Sequence, residues 1–304
     1  MRKFKCLLCG NETGYNLIKM RTRNSEHNIV ACTECGLQQL YPLPSLEEDK
    51  KHYDLNPHDK EITPNFNIED IYKKFEWQNR YRVNYLQKDI KIQKDWKILD
   101  YGCDYGFLIE ILKESGYHVE GLEISADRLE VIKKRQGSLD DIYTYNFLDE
   151  KENIPIELQE KFDLVTSFHL IEHITSPVYF LKKIQSLIKK DGYILLELPN
   201  IENTLMDLSP EFNDFNYIRD HVAYYSPKLI RRVVEEAGFD VIAQKGVQMY
   251  GLLNYMNWVI NGTPQLNSPS YEVPAEISWL ENYFRQYLTD NICSEFMYIL
   301  GRKK

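Results

Sequence analysis

From Lys97 onward the chain alternates short apolar runs with longer amphipathic ones, and this alternation limits the fold more than any other feature. KILDY (97–101), HVEGLE (118–123), DIYTY (141–145), DLVTSF (163–168) and YILLEL (193–198) have the length and composition of strands. Punctuated helical stretches separate them. Ser125 stands where it can cap ADRLEVIKKR. Ser176 and Pro177 open VYFLKKIQSLIKK, and Gly192 follows its end. Ser226 and Pro227 open KLIRRVVEEA, and Gly238 closes it. Strands alternating with such helices predict a mostly parallel sheet covered on both faces. FDVIAQK (239–245) and SEFMYIL (294–300) add two more strands. The segment between them, 246–293, is rich in Tyr, Asn and Trp and reads as a mainly helical insertion. The expected class is α/β, with seven strands, the last arriving after a long excursion.

Ahead of this core lie two regions of different character. Residues 1–45 are turn-rich and hold Cys6, Cys9, Cys32 and Cys35 in two Cys-x-x-Cys pairs. Each pair is followed by glycine (Gly10, Gly36), as zinc knuckles require, and two such hairpins can converge on one tetrahedral Zn²⁺. All four ligand positions are filled, so the expected role is structural: a unit too small to fold alone, held by its metal. Residues 46–95 carry periodic aromatics (Tyr53, Tyr72, Phe75, Trp77, Tyr81, Tyr85) and read as a helical linker to a domain over 96–304. Cys103 and Cys293 read as packed thiols. With a formal net charge of −9 the chain lacks the basic footprint of a nucleic-acid binder. No apolar run is long enough to span a bilayer, and the start MRKFKCLLCG lacks the apolar core of a signal peptide, so a cytosolic location is expected.

The turn after the first long strand is the candidate nucleoside site. KILDY runs into GCDYGFLIEIL, where Gly102 and Gly106 let the backbone turn tightly beneath a helix N-terminus. Ligands of open α/β sheets bind at the carboxyl ends of the strands. Glu123 ends the second strand, where a carboxylate can accept from both ribose hydroxyls. Asn146 and Phe147 follow the third strand, where an adenine would lie. Any tight strand-to-helix turn looks like this loop taken alone, but its spacing is Gly-x-x-x-Gly and not that of dinucleotide binding. Asp100 just ahead of it favours a cation, as S-adenosylmethionine would bring, over a pyrophosphate.

DYGCDYGFL, GLEIS, FDLVTSFHLIEHITSP and KKDGYILLELPN resemble, in order and spacing over about 95–245, the successive motifs of class I S-adenosylmethionine-dependent methyltransferases. The resemblance implies a Rossmann-like, seven-stranded methyltransferase sheet. It implies a cofactor lined by Asp100, Tyr101, Gly102, Cys103, Gly106, Glu123, Ile124, Asn146 and Phe147, with Phe168 and His169 near its methionine part. Asp104 stands where many members have Gly, a place where relatives acting on nucleotide sugars often carry Asn or Asp. A zinc module ahead of such a core resembles the sugar C-methyltransferases of deoxysugar pathways and the methyltransferases of polysaccharide biosynthesis. Those proteins carry a further C-terminal domain, for which this length leaves only the 246–293 insertion, so O- and N-methylation stay open beside C-methylation.

Methyl transfer is an in-line displacement that depends mainly on alignment, with a general base adding about 10²–10⁴-fold. His169, Glu172 and His173 form HLIEH, with i, i+3 and i, i+4 spacings on one helical face. They read as a base, as a metal site gripping acceptor hydroxyls, or as side chains that hold the adjacent loop. His221, in YIRDHVAYYSPKL, resembles a family histidine that faces the acceptor, with Tyr217 nearby as in the sugar C-methyltransferases; it could equally be a helix-entry histidine bonded to backbone. Tyr224, Tyr225, Tyr250, Tyr255 and Trp258 are candidate acceptor walls. The expected acceptor is a small molecule, a sugar or nucleotide-sugar. The alternatives are an RNA methyltransferase using its zinc module to hold RNA and a non-catalytic zinc-ribbon scaffold.

Overall fold

The computed structural model describes residues 3–23, 25–45, 48, 67–145, 154–264 and 273–304. Its strands are β1 (Tyr15–Lys19), β2 (Asn28–Cys32), β3 (Gln38–Tyr41), β4 (Lys97–Tyr101), β5 (His118–Leu122), β6 (Ile142–Tyr143), β7 (Phe162–Phe168), β8 (Ile188–Pro199), β9 (Ala223–Tyr224), β10 (Phe239–Val247) and β11 (Phe296–Lys303). Its helices are α1 (Ile68–Tyr85), α2 (Phe107–Glu114), α3 (Ala126–Gln136), α4 (Pro177–Leu187), α5 (Leu205–Leu208), α6 (Pro210–Asn216), α7 (Pro227–Glu236), α8 (Leu252–Asn261) and α9 (Ser278–Asp290). Seven strands form the main sheet in the order β10-β11-β8-β7-β4-β5-β6. This is the α/β methyltransferase sheet that the sequence predicts. β4 runs parallel to β5 and β7, and β5 parallel to β6, whereas β11 is antiparallel to both β8 and β10. No described helix is long and apolar enough to cross a membrane.

Two compact units divide the chain. One comprises Leu43–Thr166 and Leu187–Lys189. Its core is β4 and β7 with the inner face of α2: Ile98, Leu99, Leu108, Ile109, Leu112, Leu164 and Val165 are all buried. Each such side chain contributes about 1.5–3 kcal/mol on burial. α1 lies against α2 through Ile68, Tyr72 and Phe75, which pack on Tyr105, Phe107 and Val131. Arg135 ties the helices together: it grips both oxygens of Glu110 (2.5 and 3.0 Å), pairs with Glu69 and lies 4.1 Å over the Tyr72 ring. Of the expected linker, 46–95, the described part holds α1 and a wider helical turn over Leu86–Ile90.

The other unit comprises Met1–Pro42, Ser167–Ser186 and Lys190–Lys304. It contains a second, antiparallel sheet in the order β1-β2-β3-β9, so the cysteine-bearing hairpins take a fourth strand from Ala223–Tyr224.

Local structure departs from the sequence expectation at three places. α4 ends at Leu187, short of the Gly192 stop signal, and Ile188 already belongs to β8. Ile188 is fully buried, Lys161 N–H donates to Leu187 O, and Lys189 bonds both oxygens of Asp163, so strand pairing wins over helix propensity there. Ser125 precedes α3, but its hydroxyl makes no capping bond; Glu123 Oε1 accepts from Ile124 N and Ser125 N instead, both at 2.8 Å. HLIEH is not a helical face. His169 has φ 51° and lies outside the single 3₁₀ turn Ile171–His173.

Candidate functional site

The loop between β4 and α2 belongs to the first unit. Asp100 ends its descent into the core 4% exposed, with Thr166 Oγ1 donating to it at 2.8 Å. Burial pushes its carboxyl up to about 6, against the lowering effect of the Thr166 bond. Gly102 N and Cys103 N both donate to Leu122 O, which folds the loop back on β5. Gly106 sits at φ 72°, a left-handed conformation that favours glycine. Asp104 takes the left-handed conformation too (φ 50°), which explains why Gly suits that place and why Asp, among the residues most tolerant of it, can stand in. Its carboxylate pairs with Arg128 Nε at 2.5 Å. Asp104 N donates to Glu123 Oε2 at 3.0 Å. Glu123 therefore accepts three backbone N–H bonds, and a carboxylate's roughly four acceptor sites leave room for one more partner. Three carboxylates around one glycine turn form a negative cradle. Asn146 and Phe147 lie outside the described residues.

The second unit contains a cavity of about 260 Å³. Phe212, Phe215, Trp258 and Phe296 form its aromatic walls, with Phe212 and Phe215 each 5.2 Å centroid to centroid from Trp258. Pro199 and Ile218 add apolar surface. Polar atoms enter from Arg23, His169, Asn216, His221, Tyr250, Asn254 and Glu295. Burial lifts the Glu295 carboxyl to about 7. Sequence reasoning found His169, His221, Tyr250 and Trp258. Phe212 and Phe215 were legible as an i, i+3 pair in PEFNDFN, a helix that Ser209 caps by accepting from Phe212 N at 3.1 Å. Arg23, far away in the chain, carried no signal at all.

Behind this wall lies a cluster of charge. His169 Nε2 donates to Glu197 Oε1 at 2.8 Å, and its Nδ1 faces Glu172 Oε1 at 3.4 Å; both carboxylates are buried. Burial alone would push this imidazole down, but the two carboxylates outweigh it and hold it up at about 9. The same pairing draws Glu172 below the ordinary range although burial opposes it. His221 goes the other way: burial pushes it down to about 4 despite the nearby Glu172 charge. At neutral pH the cluster therefore holds an imidazolium at 169, a carboxylate at 172 and a neutral imidazole at 221. Neither Glu172 oxygen, nor His221 Nδ1, has a hydrogen-bond partner among the described residues. Glu172, His173 and His221 offer ligand atoms within 4.8 Å of one another, a spacing that would also admit a cation.

One backbone position fixes this arrangement. Val222 N donates to Glu172 O at 2.9 Å while Val222 O accepts from Leu40 N at 3.0 Å, so the residue after His221 is pinned from both sides. The remaining predicted side chains serve as supports. Tyr217 donates to Gln38 Oε1 at 2.6 Å and does not line the cavity. Tyr224 donates to Ile218 O at 2.8 Å and accepts from Ile218 N, Tyr225 is buried, and Tyr255 bonds the Thr204 hydroxyl at 2.7 Å. Phe168 ends β7 and packs on Tyr298.

The four cysteines of the same unit come together. Cys6 Sγ lies 3.5 Å from Cys35 Sγ, and Cys9 Sγ 3.6 Å from Cys32 Sγ. These distances exclude disulfides and approach the edge of about 3.8 Å that a tetrahedron with Zn–S of about 2.3 Å requires. The two knuckles are built alike: Gly10 N donates to Cys6 O and Gly36 N to Cys32 O, while Cys6 N donates to Asn11 O and Cys32 N to Leu37 O. Burial pushes the Cys32 thiol up, but N–H groups of Cys35, Glu34 and Asn11 outweigh it and bring it down to about 6, whereas burial pushes the Cys6 and Cys35 thiols up.

The sequence signature of a family described as "Methyltransferase domain" matches residues 41–244. The chain belongs to this family. The chain is similar to two curated proteins named ubiquinone biosynthesis O-methyltransferase: 30% identical over 127 residues to that of Haemophilus ducreyi (40% of this chain, 53% of the relative) and 28% over 125 residues to that of Actinobacillus pleuropneumoniae (40% and 53%). The chain thus spans about half the length of these curated relatives. Among solved structures it resembles an S-adenosylmethionine-dependent methyltransferase from Archaeoglobus fulgidus, with a TM-score of 0.50 and 20% identity, covering 77% of this chain and 98% of that one. That likeness concerns the fold.

Proposed function

We propose that this methyltransferase methylates a hydroxyl of a small ring-bearing acceptor, a sugar or nucleotide-sugar, bound in the aromatic-walled cavity, with His221 as the base. The observation that carries the reading is the neutral imidazole of His221 at the wall of that cavity, beside the ionised Glu172. A cavity of about 260 Å³ suits one ring and little more, so a nucleotide-sugar would place only its sugar ring there. Aromatic faces such as those of Phe212 and Trp258 take the apolar face of a sugar ring. His221 accepts the hydroxyl proton, and Glu172 stabilises the resulting imidazolium. Protonated His169 holds Glu172 in place and balances its charge, so the proton step needs no metal at Glu172, His173 and His221.

Asp100, Asp104 and Glu123 are the groups that would hold S-adenosylmethionine, with the Tyr101–Cys103 backbone and Gly106 shaping the turn and Ile124 beside it. Their shared negative charge fits a ligand bearing a sulfonium and an amino group. When bound, that cofactor supplies an electrophilic methyl group. Cys6, Cys9, Cys32 and Cys35 are assigned to one structural Zn²⁺.

A phenolic acceptor is the second reading, favoured by the likeness to proteins named ubiquinone biosynthesis O-methyltransferase. The two separate in one assay. Purified enzyme with labelled cofactor is offered a panel of sugars, nucleotide-sugars and catechols. Label in a sugar ether supports the first reading, and label confined to catechols replaces it with the second. An unchanged rate for His221→Asn on the accepted substrate removes His221 as base under either.

A further inference from the structure

Among the described residues of the cysteine-bearing segment, Arg23 is the one that reaches the cavity. Its guanidinium carbon lies 4.2 Å over the Phe215 ring, a cation–π contact that holds the side chain beside the cavity. Among the described residues the guanidinium makes no hydrogen bond or ion pair, although it is partly desolvated: burial lowers its pKa, and the charges of Asp220 and Tyr224 only partly restore it. Its backbone, in contrast, is held firmly. Arg23 N donates to Tyr217 O at 2.9 Å, and Arg23 pairs in parallel with Ile218. A cation aimed at a cavity by a fixed backbone and a stacked ring, with its five N–H donors unused, is arranged to receive an oxyanion.

We infer that Arg23 is an anion-recognition residue: the acceptor carries a carboxylate or phosphate, which Arg23 grips at the rim while the ring of the acceptor lies between the aromatic walls. This deepens the acceptor-pocket reading and rests on it. The chain's net charge of −9 would repel such a ligand, so a local cation is what makes its binding favourable.

The test uses the full chain with S-adenosylhomocysteine present and three probes: phenyl phosphate, benzoate and neutral benzyl alcohol. Binding is followed by calorimetry at two salt concentrations. Phenyl phosphate, benzoate or both should bind at least tenfold more tightly than benzyl alcohol, and the stronger of the two names the oxyanion. Arg23→Gln should abolish that preference, and Arg23→Lys should restore only part of it, because an ammonium cannot form the bidentate fork. Unchanged Tm and unchanged benzyl alcohol affinity in both variants check that the pocket is folded. The inference is overturned if the wild type does not favour the anions or if Arg23→Gln retains the preference. Trp258→Ala separates the two failures. If it weakens every probe while Arg23→Gln changes none, the pocket stands and the anion site falls. If it changes none either, the pocket reading falls and takes the inference with it.

Discussion

Replacing Asp100 by Asn should move two properties in opposite directions. The wild-type carboxyl is 4% exposed and titrates at about 6, against an ordinary value of 3.8. Each tenfold in that difference is about 1.4 kcal/mol, so the ionised form costs the protein without cofactor about 3 kcal/mol. The folded value lies above the unfolded one. The group's contribution to stability is therefore full below pH 3.8 and is lost as the pH rises through about 6. Asn retains an oxygen to accept from Thr166 Oγ1 and carries no charge, so at pH 7.5 the variant escapes the penalty. A gain of about 1–3 kcal/mol, or several degrees in Tm by scanning fluorimetry, is expected. Cofactor binding should suffer at the same time. Losing a charge-assisted contact of about 1.5–3 kcal/mol weakens S-adenosylmethionine roughly 10- to 150-fold in calorimetry. Wild-type affinity should climb as the pH rises through about 6 and then level off, while the variant loses that component of the rise. A variant that melts lower than wild type, or binds with wild-type affinity and pH dependence, refutes the argument that this buried charge is kept for its ligand.

Three further outcomes follow from the second unit. Methyl transfer should rise as the pH climbs through about 4, where His221 loses its proton, and fall beyond about 9, where His169 loses its own; His221→Ala should lower the turnover rate by about 10²–10⁴-fold, and a flat profile or an intact rate sinks the assignment. Glu197→Gln removes the partner of His169 Nε2, so the imidazole resonance of His169 in NMR titration should move to a lower midpoint and the alkaline fall in rate should move with it; an unmoved midpoint contradicts the pairing. Metal analysis should find one zinc per chain, and Cys32→Ser should lose it and lower the Tm; protein that is free of zinc yet melts unchanged disproves the tetrathiolate site.

The strand and helix order was legible because the elements carry their own periods and some carry their own caps. Ser226 does accept from Leu229 N, and the turn after KILDY is shaped as its glycines predict. Where reading failed, long-range contacts decided. Nothing local in IKKDG says that Ile188 will join a sheet, and nothing in HLIEH says that a residue with positive φ will break the helical spacing. The site divides in the same way. The nucleoside cradle is compact in sequence, Asp100 to Glu123, and its members could be named from spacing. The cavity draws on Arg23, on 199–221, on 250–264 and on Glu295–Phe296, and only the folded chain brings such distant segments to one wall.

That assembly gives the cysteine module a role beyond stapling its own hairpins. Leu40 N donates to Val222 O, β3 pairs with β9, and Tyr217 donates to Gln38, so the stretch that carries His221 is bonded to the module on either side of it. The opposite edge of Val222 bonds Glu172 O. The distance between imidazole 221 and carboxylate 172 is therefore set by a three-segment backbone register, one member of which is the cysteine-bearing sheet. Weakening the module by one thiolate should blur that register before it unfolds the main sheet. Loss of acceptor turnover should then precede loss of cofactor affinity, because the cradle around Glu123 takes its bonds from Asp104, Ile124 and Ser125, all within its own unit.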